Sequence, residues 1–162
     1  MISVFVLYNL FILLKYGWLN SISASYYSLP DEYIKIKWNN NVVLTLPIKY
    51  NSLFLLFCLG YAIPTLFLVT DGFMFFACGL ICFVGIASAF RLDSFTANMH
   101  QYSALGAVVL SQLSLIFFYH LYYLVIITAV SAVILYLLNK KLPQWMYILE
   151  WIAFWTVAIA LL

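Results

Sequence analysis

The sequence predicts an all-α bundle of six transmembrane helices with a short β-hairpin in its first loop. Three observations predict it. First, 67% of the 162 residues are hydrophobic and 7% are charged. Soluble domains hold roughly 45–50% and about 25%, so polar side chains are too few to cover a globule. Second, the apolar residues fall into six runs near the ~20 residues that cross a bilayer as helix. Third, the basic residues gather on one side of those runs.

Taken in order, the run 2–19 has no positive segment ahead of it, and Lys15 sits late within it. It reads as a mature helix rather than a secretory signal. "SISASYYSLPDEY" (21–33) follows, and then the polar insert 31–50. There Ile34 and Ile36 alternate with Lys35 and Lys37, and "NNN" precedes "VVLTL". Period-two alternation around a turn-prone centre predicts a hairpin. Two strands are marginal in water, so the hairpin needs support from helix ends or a partner.

The second span, 51–70, contains Pro64, which removes one helical N–H and kinks the helix. "TDG" at 70–72 is a tight turn into the third span, 73–90. Ser103, Ala107 and Ser111 of the fourth span, 100–119, have the small-residue spacing that lets helices approach, as do Gly79, Gly85 and Ala89. These two spans therefore pack centrally, with Gln112 hydrogen-bonding between helices. The break at "YHLYY" (119–123) has neither Gly nor Pro and rests on His120 among tyrosines. The span 121–138, the turn "NKKLPQW" and the span 146–162 complete a single transmembrane domain.

In this scheme all seven Lys and Arg residues lie at one rim: Lys15, Lys35, Lys37, Lys49, Arg91, Lys140 and Lys141. Basic loops face the cytoplasm, which predicts a bacterial inner (plasma) membrane protein with both termini outside. The absence of a basic stripe argues against nucleic acid. Cys58, Cys78 and Cys82 are an odd number inside apolar runs, which speaks against a disulfide framework.

The same rim collects the chemistry. Glu150 is the one carboxylate well inside an apolar run, and such a group is either paired or functional. Lys15, Arg91 and His100 are its candidate partners, and a Lys15–Glu150 ion pair would pin the bundle. Arg91 suits a lipid phosphate, or else pairs with Asp93 at the surface. His100, with Asp93, could act as base toward Ser21 or Ser23, although no nucleophile elbow is present. Tyr26 and Tyr27 are belt residues or walls of a headgroup pocket. His120 lies on the opposite face, leaving no metal set, and no cofactor is expected.

Together, "SISASYY" and "MHQYSALGA" resemble a family of small multi-pass membrane proteins of bacteria and their phages. The shared pattern is S-x-S-x-x-Y-Y after the first helix and H-x-x-x-A at a later helix start. The likeness covers residues 21–28 and 51–107. It implies that Ser21, Ser23, Tyr26, Tyr27 and His100 belong to one site, and it brings no activity with it.

The expected function is a non-enzymatic component that binds a lipid headgroup or a protein through Ser21, Ser23, Tyr26, Tyr27, Arg91, Asp93 and His100. Its expected partners are membrane lipids, a protein at the 31–50 hairpin and a second copy of the chain. Two alternatives remain: an interfacial hydrolase using His100 and a first-loop serine, and a small transporter using Glu150.

Overall fold

The computed structural model describes residues 1–38, 41–89 and 94–162. In chain order these form α1 (Ile2–Tyr16), a one-turn α2 (Ser25–Ser28), β1 (Tyr33–Trp38), β2 (Asn41–Lys49), α3 (Ser52–Leu66), α4 (Gly72–Ala89), α5 (Ser94–Phe117), α6 (Tyr122–Leu137) and α7 (Trp145–Ala160). The chain is thus mostly helical, with one two-stranded hairpin.

Each helix end has a local cause. α1 stops at Gly17, whose φ of 73° lies in the left-handed region that a residue without Cβ enters freely. α3 ends two residues after Pro64. Asp71 precedes α4, and its Oδ1 accepts the Met74 N–H at 2.8 Å while Oδ2 accepts the Ser114 hydroxyl of α5 at 2.9 Å. One carboxylate therefore caps a helix and ties it to its neighbour. α5 and α6 are separated at His120, which takes φ 55° without being glycine, a conformation costing roughly 1–2 kcal/mol.

β1 and β2 are antiparallel, with Tyr33 opposite Lys49 and Trp38 opposite Asn41. Alternation places Lys35 on one face and Ile36, paired with Leu44, on the other. Both Ile36 and Leu44 are about half exposed.

The main core is aromatic. Phe5 and Tyr8 of α1, Phe54, Phe57 and Tyr61 of α3, and Tyr147 of α7 are buried together, with Trp151, Phe154 and Trp155 packed against them. The Tyr8 and Phe57 rings stack at 4.5 Å. α4 joins through Gly85, where an added Cβ would lie 2.8 Å from Cys58 Cβ and 3.1 Å from Leu55 Cδ1. α4 and α5 make the most extensive helix pairing, with Ser103, Ala107 and Ser111 all buried. Gln112 forms no interhelical hydrogen bond: both polar atoms of its amide are buried without a partner among the described residues.

The six-span bundle needs correction. Among the described residues, no helix is long and apolar enough to cross a membrane. α1 and α3 have 15 residues, and α6 and α7 have 16. At 1.5 Å per residue they rise only about 22–24 Å, short of the ~30 Å hydrocarbon layer. The apolar runs outlast the helices: Phe67, Leu68 and Val69 lie past α3, and Phe118 and Tyr119 past α5. α5 is longest at 24 residues but opens with the polar stretch "SFTANMHQYS". The multi-pass transmembrane architecture, the inner-membrane location and the outside termini fall with this finding. Hydropathy counted apolar turn residues as helix.

The tight α3–α4 contact predicts opposite outcomes for two glycines of one helix. Gly85→Ala should cost about 1–3 kcal/mol through overpacking. Gly79→Ala, with nothing within 4 Å of the new Cβ, should gain up to about 1 kcal/mol from helix propensity. Denaturant unfolding midpoints of the two variants read both signs.

Candidate functional site

The segment joining α1 to α2 is gripped by α7 in both directions. The first N–H groups of a helix have no partner within it, and the Tyr147 N–H of α7 donates to the Asn20 carbonyl at 3.2 Å. One turn on, Glu150 Oε2 accepts the Ile22 N–H at 2.5 Å, and the Ser23 N–H also points to this carboxylate. Loop carbonyl meets helix N–H, and loop N–H meets helix carboxylate.

Serines organise the turn itself. Ser21 Oγ accepts the Ala24 N–H at 2.9 Å and lies 3.0 Å from Ser23 Oγ. Ser25 is fully buried and donates its hydroxyl to the Ile22 carbonyl at 2.5 Å, so the Tyr8 hydroxyl, also at 2.5 Å, must donate to Ser25 Oγ. Below them the Tyr147 hydroxyl donates to Asn9 Oδ1 at 2.7 Å, and Asn9 Nδ2 donates to the Phe5 carbonyl at 2.8 Å. Asn9, Ser25 and Tyr147 have no exposed surface. Burial pushes the Glu150 carboxyl up to about 7, against the lowering effect of the two loop N–H groups.

The expected Lys15–Glu150 ion pair is not formed. Lys15 is exposed, and its ammonium lies 4.2 Å from the Tyr50 ring centroid, 5.4 Å from Tyr16 and 5.6 Å from Phe11. It therefore fastens the base of the hairpin to the last turn of α1 by cation–π attraction. Among the described residues an ion pair forms instead between Lys49 and Asp31 at 2.9 Å. Because the last turn of α1 meets Tyr50 and the loop after it meets the start of α7, Lys15, Lys49 and the exposed Lys140 and Lys141 occur toward one end of the molecule.

His100 sits within α5 rather than at its start. Its Nδ1 lies 2.8 Å from Ser88 Oγ and 3.3 Å from the Val84 carbonyl, and Ser88 Oγ itself donates to that carbonyl at 2.9 Å. A carbonyl oxygen can only accept, so the Val84 contact favours the tautomer with the proton on Nδ1. The Ser88 proton points away from the ring, which is the reverse of a serine–histidine dyad. Burial lowers the His100 pKa, partly offset by the Val84 hydrogen bond, so the ring favours its neutral form. Neither Ser21 nor Ser23 hydrogen-bonds to His100, so the serine–histidine contact of the alternative hydrolase reading is not formed.

Tyr26 is buried, its ring 6.3 Å from Phe54, and His100 lies 6.2 Å from the same ring. Phe54 thus packs against both the serine–tyrosine turn and the histidine. Arg91 and Asp93 lie outside the described residues, as does the side chain of Tyr27. Among the described residues no three of His, Cys, Asp and Glu could hold a metal ion together. Cys58, Cys78 and Cys82 are free thiols, and burial pushes Cys78 up to about 12, which makes it a poor nucleophile.

Sequence reasoning missed Asn9, Tyr8, Tyr147, Ser88 and Asp71. Asn9 carried a signal: it is a lone amide in "VLYNLFIL". Asp71 carried the turn signal of "TDG" but none for its bond to Ser114, and Ser88 carried none beyond its polarity.

Glu150 makes stability depend on pH. Between the ordinary 4.5 and about 7 the folded chain holds a proton that the unfolded chain has released. Stability is therefore full below 4.5, falls as pH rises and levels off above about 7, a loss of about 3 kcal/mol. Glu150→Gln, which keeps an acceptor but cannot ionise, should flatten this slope in thermal melts across pH 4–8. Glu150→Ala should destabilise by about 1–3 kcal/mol by leaving buried N–H groups unpaired.

No family model, no curated protein and no solved structure matches this chain.

Proposed function

We propose that this chain is a non-enzymatic lipid-binding component, its apolar helical exterior taking acyl chains and its lysine-bearing end taking anionic headgroups. One observation carries the reading. Large apolar side chains stand exposed on every long helix, among them Leu7 and Leu14 of α1, Ile63 of α3, Phe76 of α4, Leu105 of α5, Ile126 and Leu137 of α6, and Ile159 of α7. Monomeric soluble proteins rarely expose contiguous apolar patches beyond a few hundred Å². A protein partner of standard size covers about 800 Å², against 9601 Å² of total surface here. An exposure distributed over six helices exceeds what one docked partner covers and suits contact with acyl chains.

The buried polar cluster serves as the scaffold for that surface. Glu150 is spent on loop N–H groups and His100 on Ser88 and Val84, which favours binding over hydrolysis or proton-coupled transport. The half-exposed hairpin face favours a second reading, a protein partner at Ile36 and Leu44.

Flotation with phospholipid vesicles tests the main reading. The chain should rise with neutral phosphatidylcholine vesicles and bind more tightly when phosphatidylglycerol is added. Replacing Lys35, Lys49 and Lys140 by Gln should remove about 100-fold of the anionic preference, at about 1 kcal/mol per lysine. A chain that stays monodisperse and lipid-free overturns the reading.

A further inference from the structure

Between the return strand of the hairpin and the first turns of α3 lies a surface groove of about 360 Å³. Pro47 and Ile48 of β2 and Leu55 and Leu56 of α3 form its apolar walls, and Tyr33, Lys49 and Ser52 bring polar atoms to it. The volume is near the lower end of the 300–1,000 Å³ typical of ligand sites, which suits one acyl chain rather than two. We propose that this groove binds a single-chain anionic amphiphile, with Lys49 as the counter-charge to its carboxylate or phosphate. The proposal rests on the lipid-binding reading and narrows it to one place and one ligand class.

Three features favour that occupant. Lys49 is engaged by Asp31, but both side chains are about half exposed, and such solvent-screened pairs are easily exchanged. Asp31 Oδ1 also accepts the Asn51 side-chain N–H at 3.1 Å, so it keeps a partner when Lys49 turns to a ligand. The Ser52 hydroxyl makes no side-chain hydrogen bond among the described residues, which leaves it to donate to the same anion. Finally, Pro47 has no N–H to offer an added strand, which disfavours a β-paired peptide beside this wall and leaves it to side-chain contact with an alkyl chain.

The test is photocrosslinking of a diazirine-bearing palmitate to the full chain on neutral phosphatidylcholine vesicles, with labelled peptides mapped by mass spectrometry. Label should concentrate on residues 47–56. Oleate and lysophosphatidate should both compete, with their relative strength separating carboxylate from phosphate, and oleyl alcohol should compete at least 10-fold more weakly. Lys49→Gln should weaken labelling about 5-fold or more, and Lys49→Arg should restore it. Leu56→Trp should block the groove, with helical circular dichroism checking its fold. Label spread evenly over the helices, or unchanged in Lys49→Gln, overturns the groove. Flotation of the same samples reports separately on the broader reading, which fails only if the wild-type chain does not float.

Discussion

The grip of α7 on the segment after α1 organises the molecule. An apolar chain with few charges has few directional interactions with which to choose one packing over another. Here a helix start and a carboxylate one turn later take a carbonyl and N–H groups from the same short loop. The first and last long helices are thereby fixed to each other, and the aromatic side chains between them pack in one arrangement. A buried acceptor bound to backbone N–H groups is expensive to expose unpaired, so the loop cannot slip without breaking several bonds at once. The Tyr8–Ser25 and Tyr147–Asn9 pairs extend this polar seam into the core.

That seam also gives the serines after α1 structural partners. Ser21 and Ser23 complete a turn, Ser25 bridges a phenol and a carbonyl, and Tyr26 is packed on Phe54. His100 belongs to a separate contact in which α5 reaches back to α4. With the proton on the nitrogen facing Ser88, the pair resembles a catalytic dyad in composition and differs from one in the direction of its hydrogen bond.

Much of the architecture was legible because it rests on local signals. Alternation around Lys35 and Lys37 pointed to the hairpin, and "TDG" pointed to a turn. Helix length was not legible, because Phe67–Val69 and Phe118–Tyr119 are as apolar as the helices they follow, and hydropathy does not register where backbone hydrogen bonding stops. Glu150 stood out as an isolated carboxylate, yet its partners are backbone N–H groups that every residue carries. No residue type could announce them, and the charged residue Lys15 looked the better match. Instead Lys15 found three aromatic rings, a partnership visible only once Tyr50 is brought beside α1.

Asp71 has a mechanical consequence. Because one carboxylate holds both the α4 backbone and the Ser114 hydroxyl of α5, sliding these helices past each other by a turn, about 5.4 Å, would uncap one and strand the other. Their shared register is locked, and α4 and α5 travel as one rigid plank. Any rearrangement of the helices must then leave this pair intact.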